Sequence, residues 1–163
     1  MTSIITTPSR ALKVILSDTS DIPNPYLITS GISSDDTVGE LIDDNAKFIS
    51  EGVKIGDIVY AIESNASLTI IAVTQTVLTF EGTPPIGVGS SYEIYQQSPI
   101  SGSQNQGCLL YVSCPAGAGA LQVTTAGNDI VLFTGLSSGV LPVRVKKAWR
   151  ENRADINGTI ALW

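Results

Sequence analysis

The sequence predicts an all-β protein made of two small antiparallel β modules, each barrel-like or sandwich-like, with one short helix. Apolar and polar residues alternate with a period of two through most of the chain, as strands with one buried face require. Turn-forming groups separate these runs at the short intervals typical of antiparallel sheets. The polar stretch at residues 98–107 has the composition of a linker. We therefore expect an N-terminal module over residues 1–97 and a C-terminal β-sandwich module over 108–163.

The first module is expected to open with a strand and to contain the only helix. Residues 12–16 alternate apolar and polar side chains, and the turn-rich residues 18–25 cannot continue that strand. Apolar residues then recur at a ragged helical spacing, for which Thr37 can serve as a cap and Gly52 as the end. One or two helical turns are predicted within residues 38–51.

Strand-like alternation resumes after the helix, and four further runs complete the first module. They are residues 58–62, 68–73, 77–81 and 92–96. Residues 82–91 hold two prolines and three glycines, which predicts a loop between the last two runs.

Five runs with the same period are expected to form the second module. They are residues 108–113, 121–125, 130–133, 140–147 and 159–163. Residues 126–129, with the sequence AGND, have the composition of a hairpin turn. Pro142 lacks a backbone donor, so the fourth run should lie at a sheet edge or carry a bulge.

The composition favours a protein whose surface is covered by partner proteins. Only 15% of residues are charged, against about 25% in a typical domain, while 43% are hydrophobic. An uncharged β surface rich in Ser and Thr would explain the same values. Residues 1–98 carry 12 acids and 4 bases, and residues 99–163 carry 3 acids and 5 bases, so the two charges are −8 and +2. Such a split suits head-to-tail contacts between copies.

The sequence lacks the residues that common catalytic and metal sites need. It contains no histidine, which excludes Ser-His-Asp and Cys-His catalysis. Cys108 and Cys114 are too few for a zinc site built from Cys and His, and we expect buried, reduced thiols. There is no glycine-rich phosphate loop. We therefore predict no enzyme activity, no cofactor, and no catalytic, cofactor-binding or metal-binding residues.

Two pairs of adjacent aspartates are the remaining chemical candidates: Asp35 with Asp36, and Asp43 with Asp44. A glycosidase needs carboxylates on both sides of a cleft, and a calcium loop needs oxygen ligands at regular spacing. Because adjacent aspartates fit neither pattern, we expect solvated side chains. No apolar run approaches the roughly 20 residues of a membrane-spanning helix, so no membrane partner is expected.

Positive charges cluster near the end of the sequence and are predicted to dock a partner protein. Five of the nine basic residues are Arg144, Lys146, Lys147, Arg150 and Arg153, and the first four form the predicted docking set. A solvated strand face is the alternative interpretation. Direct binding to nucleic acid is not expected, because the chain as a whole carries a net charge of −6.

Trp163 completes the set of predicted docking residues. The last four residues, IALW, are all apolar, whereas chain ends are usually polar and frayed. Trp163 is therefore expected to be buried, either in its own sheet or beneath a neighbouring copy.

Segments of both modules resemble domains of tailed-phage virion proteins. In the first module the similarity lies in FISEGVKIGDIVY at residues 48–60, Val73, LTF at 78–80 and YEIY at 92–95. In the second it lies in GC at 107–108, LYV at 110–112, VTTAG at 123–127, LPVRV at 141–145 and IALW at 160–163. This second set resembles the head-spike-base family of phages and gene transfer agents. Residues 146–157 depart from the family, since they are more charged than its Thr/Gly-rich turn.

The resemblance implies a virion protein that is assembled in the host cytoplasm. It implies a capsid accessory role, as a decoration protein or as the base of a spike or fibre, and it implies no catalytic residues. The expected partners are further copies of the chain, in a homo-oligomer such as a trimer or pentamer, and virion proteins such as the major capsid or fibre protein. A neck, tail or fibre component of the same virion is the alternative. A carbohydrate- or receptor-binding module is the third reading.

Overall fold

The computed structural model describes residues 8–82, 86–97 and 106–163. The chain is mostly β, with 48% strand and 3% helix, and its strands form three antiparallel sheets. The predicted all-β class with one short helix is thus confirmed. Within these ranges no helix is long and apolar enough to cross a membrane.

Thirteen strands and one helix make up the described parts of the chain. In chain order they are β1 (Ala11–Lys13), β2 (Leu27–Ile32), β3 (Glu40–Ile42), α1 (Phe48–Glu51), β4 (Ile58–Ala61), β5 (Ala66–Val73), β6 (Val77–Phe80), β7 (Ser91–Tyr95), β8 (Leu109–Ser113), β9 (Gly119–Thr125), β10 (Ile130–Leu136), β11 (Gly139–Val140), β12 (Val145–Ala154) and β13 (Gly158–Leu162).

The chain divides into two compact units. The N-terminal unit begins at Ile15 and includes the described residues up to 97. The C-terminal unit contains Gln106–Trp163 together with residues 8–14. The predicted linker, residues 98–107, lies outside the described residues except for its last two positions.

β1 belongs to the C-terminal unit, whereas a strand over residues 12–16 was predicted as part of the first module. The strand is also shorter than predicted, since it ends at Lys13. It pairs antiparallel with β13, and Leu12 lies opposite Ala161. The pairing continues past the strand, where the Val14 amide donates to the Thr159 carbonyl at 3.0 Å. Alternation predicts that a strand forms, but it does not show which sheet offers a free edge to receive that strand.

The N-terminal unit is a six-stranded antiparallel sheet in the order β2-β7-β4-β5-β6-β3. Its two outermost strands meet at their ends. There the Ser34 amide donates to the Ile42 carbonyl at 2.7 Å, and the Ser33 hydroxyl donates to the same oxygen at 3.2 Å. The sheet is therefore closed at this point in the manner of a small barrel.

A single apolar cluster forms the core of the N-terminal unit. Its largest fully buried members come from strands and helix alike: Leu41, Phe48, Ile70, Leu78, Tyr92 and Ile94. The rings of Phe48 and Tyr92 meet edge to face, with their centroids 6.0 Å apart. Because burying one large apolar side chain contributes about 1.5–3 kcal/mol, this cluster is the main source of stability in the unit.

The helix is shorter than predicted, because a strand occupies the first part of residues 38–51. That strand is β3, which pairs with β6 and buries Leu41 opposite Leu78. The helix α1 follows as a single turn that buries Phe48 and ends at Gly52 in the left-handed conformation. Such a short apolar run fits the period of a helix as well as that of a strand, and the pairing with β6 makes it a strand.

The C-terminal unit contains two sheets, with strand orders β1-β13-β8-β11 and β10-β9-β12. They are joined where Cys108 and Val145 exchange backbone hydrogen bonds of 2.9 and 2.8 Å. Gly107 precedes this bridge with φ +64, and a Cβ there would lie 2.7 Å from the Val145 carbonyl oxygen. Glycine alone has both the required conformation and the required size.

The strand predicted over residues 140–147 is divided between these two sheets. Its first part, β11, pairs with β8, and β12 enters the other sheet at Val145. The buried Leu141 anchors the crossing, since its amide donates to the Leu110 carbonyl at 2.9 Å. Pro142 lies in the crossing, where it has no ladder bond to donate. Where a sheet edge or a bulge was predicted, the chain instead leaves one sheet and enters the other.

Candidate interaction surfaces

The structure separates the five predicted docking residues. Lys146, Lys147 and Arg150 lie on β12. Arg144 lies in the link before β12, where its carbonyl accepts a hydrogen bond from the amide of Ala126 at 2.9 Å. Trp163 follows β13 in the other sheet. The basic residues and the tryptophan therefore lie on different elements of the C-terminal unit.

Lys146 is an extra residue in the β12 ladder. Val145 lies opposite Thr125 and Lys147 lies opposite Thr124, so Lys146 has no register partner in β9. This one-residue bulge directs its ammonium group to the side-chain oxygen of Asn128 in the adjacent hairpin turn. Bulges often redirect a side chain in this way.

A larger bulge follows between Ala148 and Arg153. Their partners in β9 are only two positions apart, so β12 accommodates three additional residues here. Asn152 adopts φ +52, a conformation that Asn tolerates better than most residues. Its side-chain amide donates to Oε1 of Gln122 at 2.9 Å, which attaches the bulge to β9.

The outer side of the three-stranded sheet combines apolar and cationic side chains. Its opposite side is buried and holds Leu121, Val123 and Ala148. The outer side, which we call the basic face, consists of Ile130, Leu132, Gln122, Thr124, Lys147 and Trp149. Ile130 and Leu132 are 60% and 51% exposed, which is unusual for two large apolar residues of one strand.

Trp149 is held in place on the basic face. Its indole Nε1 donates to the hydroxyl of Thr124 at 3.0 Å, and the Lys147 ammonium lies 5.2 Å from its ring centroid. Such a cation–π contact contributes roughly 0.5–1 kcal/mol at an exposed site. The indole therefore presents a rigid, partly exposed ring beside two exposed aliphatic residues.

The outer side of the four-stranded sheet forms a second surface, which we call the apolar face. One row of paired residues crosses all four strands: Lys13, Ile160, Tyr111 and Val140. A second row crosses three strands: Ala11, Leu162 and Leu109. Ile160 and Val140 are 40% and 51% exposed. The only charged side chain in these two rows is that of Lys13.

Trp163 is partly exposed, so it is not fully buried in its own sheet, and burial beneath a neighbouring copy stays a prediction. Its backbone is nevertheless firmly paired with the start of β1. Its carbonyl accepts hydrogen bonds from the amides of Ser9 and Arg10, and its own amide donates to the Arg10 carbonyl at 3.0 Å. The neighbouring strands β1 and β13 are thus joined through the main chain at Trp163.

The N-terminal unit exposes an acidic loop, residues 33–38, between β2 and β3. Asp35 and Asp36 are exposed in it, and the side chain of Val38 is 75% exposed. Val38 lies at the tip of a turn in which the Glu40 amide donates to the Thr37 carbonyl at 3.2 Å. The turn includes a glycine with φ +82, as a tight turn of this kind requires.

Ser33 fixes the acidic loop to the rest of its unit. Its side chain is buried, and its hydroxyl donates to the Asp35 carbonyl at 2.7 Å. Its backbone amide donates to the carbonyl of Ser90 at 2.9 Å, and its carbonyl accepts from the amide of Gly89 at 2.8 Å. The loop is therefore an ordered projection that carries two carboxylates and an apolar tip.

Asp43 is buried, although both Asp43 and Asp44 were predicted to be solvated. It is 5% exposed, and its Oδ2 accepts a 2.7 Å hydrogen bond from the hydroxyl of Tyr92. Burial and this bond raise the pKa of Tyr92. A cleft of about 330 Å³ lies beside the pair and is also lined by Asn45 and Glu51. In the described residues, no cluster of three His, Cys, Asp or Glu side chains is placed to hold a metal ion.

Both cysteines are free thiols inside the C-terminal unit, as predicted. Burial raises the pKa of Cys108 to about 12. Its thiol lies 3.4 Å from the Val145 carbonyl, and the thiol of Cys114 lies 3.4 Å from the Leu136 carbonyl. A thiol with so high a pKa is a poor nucleophile.

Sequence reasoning missed the apolar members of these surfaces. Ile130 and Leu132 belong to the run IVLF, whose unbroken apolar character could have indicated a strand with apolar side chains on both faces. Trp149 lies within KKAWRENR, where an aromatic among bases is a recognisable signal. No pattern in the sequence indicates that Val38 stands at an exposed turn.

Comparisons with protein-family models, with curated proteins and with solved structures found no match to this chain.

Proposed function

We propose that the chain is a structural protein of a tailed-phage virion, specifically a capsid accessory that acts as a decoration protein or as the base of a spike or fibre. The virion assignment rests on the sequence resemblance of about residues 38–163 to phage structural domains. The assembly role rests on one structural observation, namely that both sheets of the C-terminal unit carry large apolar side chains on their outer sides.

Exposed apolar surface of this kind supports a role in protein–protein contact. Monomeric proteins rarely expose contiguous apolar patches larger than a few hundred Å², and larger patches usually mark interaction sites. Buried apolar area contributes roughly 25 cal/mol per Å², whereas an exposed ion pair contributes about 0–1 kcal/mol. The apolar side chains, rather than the basic cluster alone, therefore supply most of the proposed affinity.

The apolar face is the side that we assign to the particle. It contains an aromatic residue, Tyr111, with Ile160 and Val140 directly beside it in the same row. Interface cores are typically enriched in aromatic residues and depleted of charge. The strands on which this row lies are joined by regular antiparallel pairing, so the row is rigid before any partner binds.

The neck, tail or fibre alternative would use the same surfaces and differs only in the location on the particle.

A carbohydrate-binding role has less support. Sugar-binding sites usually offer an open aromatic ring, and the ring of Trp149 already has the ammonium of Lys147 above one face.

The proposed function is tested by measuring how much protein purified virus particles carry. Quantitative mass spectrometry should detect the chain in particles, in a copy number set by the symmetry of the position it occupies. Ile160→Asp and Val140→Asp should each lower this occupancy at least tenfold, because a carboxylate would be desolvated in the contact. Ile55→Asp is the matched control, since Ile55 is 67% exposed but lies in the N-terminal unit.

Two results would overturn the proposal. The first is absence of the chain from purified particles. The second is normal occupancy by both apolar-face variants when circular dichroism shows them folded.

A further inference from the structure

We propose that the basic face of one copy binds the acidic loop of a second copy, so that the chains associate head to tail. This inference rests on the proposed structural role and names one partner for it. Because the two binding surfaces are different, each copy both offers a loop and receives one.

The charges of the two units support this pairing. The N-terminal unit contains twelve acids against two bases, and the C-terminal unit contains seven bases against three acids, which gives −10 and +4. The structure sharpens the contrast seen along the sequence, because residues 8–14, which include Arg10 and Lys13, belong to the C-terminal unit. Opposite charges of this size attract two copies in a head-to-tail orientation and oppose contact between two acidic units.

The local chemistry of the two surfaces matches as well. The acidic loop places the exposed Val38 beside Asp35 and Asp36, and the preceding residue Ile32 is 60% exposed. The basic face places the exposed Ile130 and Leu132 beside Lys147 and Trp149, and Arg150 lies in the adjoining bulge. Each surface is thus an apolar centre flanked by charge, and the two charges have opposite sign.

Both surfaces are ordered before they meet. The buried Ser33 holds the acidic loop through its hydroxyl and its backbone. The bond between Trp149 and Thr124 holds the indole of the basic face. Little side-chain freedom is lost on contact, and preorganised surfaces of this kind bind more tightly than mobile ones.

A contact between two different surfaces has consequences for symmetry. When the same surface meets itself, a two-fold dimer forms, and here that would bring like charges together. A heterologous contact instead repeats from copy to copy and closes into a ring when the rotation permits. The trimer or pentamer expected from the sequence is a ring of this kind.

The contact is small, and this determines how it will behave. A standard interface involves about 20–30 residues on each side, whereas the acidic loop provides six residues and its immediate neighbours. Each contact between two copies is therefore weak. Closing a ring stabilises the assembly, because the last contact forms within one assembly rather than between two separate molecules. Association should rise steeply with concentration and weaken as salt screens the charges.

The test is a charge exchange on the folded full chain, followed by sedimentation velocity over a dilution series. Asp35→Lys with Asp36→Lys reverses the charge of the loop, and Lys147→Glu with Arg150→Glu reverses the charge of the basic face and of the bulge beside it. Each pair should raise the concentration needed for assembly at least tenfold, because like charges then meet. The quadruple variant carries both reversals, restores opposite charges at every contact, and should return within about threefold of the wild type.

Lys47→Glu with Lys54→Glu is the matched control, since it changes the net charge as much as the double reversal of Lys147 and Arg150, and both residues are exposed but lie outside the acidic loop, the basic face and the apolar face. It should assemble like the wild type. Three results would overturn the inference: a wild type that stays at the 17.1 kDa mass of one chain at every concentration, reversed pairs that assemble normally, or a folded quadruple variant that does not recover. None of these results would change the amount of wild-type protein on the particle. Failure of this inference can therefore be distinguished from failure of the proposed function.

Discussion

The hydroxyl of Tyr92 donates a 2.7 Å hydrogen bond to Oδ2 of Asp43 inside the N-terminal unit. The bond joins β7 to the residue that follows β3, across 49 positions of sequence. Gly31 lies opposite Tyr92 in β2 and leaves the space for this pair, since a Cβ on Gly31 would overlap the Tyr92 hydroxyl and lie 2.6 Å from the carboxylate. Three separate strands are thus arranged around one buried polar contact.

Tyr92→Phe should destabilise the N-terminal unit by about 1–3 kcal/mol, because it leaves a buried carboxylate with one hydrogen bond fewer. Urea unfolding followed by circular dichroism measures this loss. Tyr26→Phe is the control, since the side chain of Tyr26 is 53% exposed, and it should cost clearly less than Tyr92→Phe because water can replace any bond that an exposed hydroxyl makes. Equal stability of the two variants would show that the buried bond contributes nothing.

Gly107→Ala should destabilise the C-terminal unit more than Gly117→Ala does. Both glycines have positive φ, +64 and +72, but a Cβ at Gly107 meets the Val145 carbonyl at 2.7 Å whereas a Cβ at Gly117 meets nothing within 4 Å. Positive φ alone costs an alanine about 1–2 kcal/mol, so the difference between the variants isolates the steric overlap. Tryptophan fluorescence suits the measurement, because both tryptophans lie in this unit. Identical stabilities would contradict the close approach of the two sheets.

The unfolding free energy should fall as the pH rises above about 9. The folded-state pKa of Cys108 is raised from 9.0 to about 12 by burial. The stability that this thiol contributes is therefore complete below pH 9 and is lost between pH 9 and 12, at up to about 1.4 kcal/mol per pH unit. The raised pKa of Tyr92 adds to the loss at still higher pH. Cys108→Ala should flatten the decline between pH 9 and 10, and an unchanged slope would contradict burial of the thiol.

Trp163→Ala should cost about 1–2 kcal/mol, less than the roughly 3–5 kcal/mol of a fully buried tryptophan, because its side chain is partly exposed. The backbone bonds between Trp163 and Arg10 survive the substitution. Urea unfolding observed through the remaining Trp149 provides the value. A loss above about 3 kcal/mol would restore the sequence-based expectation that Trp163 is a buried anchor.

The sequence predicted the fold class well because period-two alternation and turn residues are local signals. It predicted a strand over residues 12–16, of which only Leu12 and Lys13 are strand, and it did not identify the strand's partner, since edge availability depends on the finished sheet. It assigned β3 to a helix, because three residues cannot establish a period and only pairing with β6 makes Leu41 a strand residue.

The candidate interaction surfaces could be predicted from the sequence less completely than the fold. Charge clustering in Arg144, Lys146, Lys147 and Arg150 is visible in the sequence, but the two bulges that orient β12 are not. Burial of Asp43 was missed for a similar reason, because its partner Tyr92 is remote in sequence. The bulges of β12 and the burial of Asp43 both depend on contacts between residues that are distant in sequence. A single sequence does not show which residues make those contacts.

A reconstruction of the virus particle tests the central claim, that this chain is a structural component docked through its C-terminal unit, most directly. We expect density for both units at symmetry-related positions, with the apolar face around Tyr111 and Ile160 covered by another virion protein. Particles without this density, or particles in which that face is open to solvent, would contradict the claim.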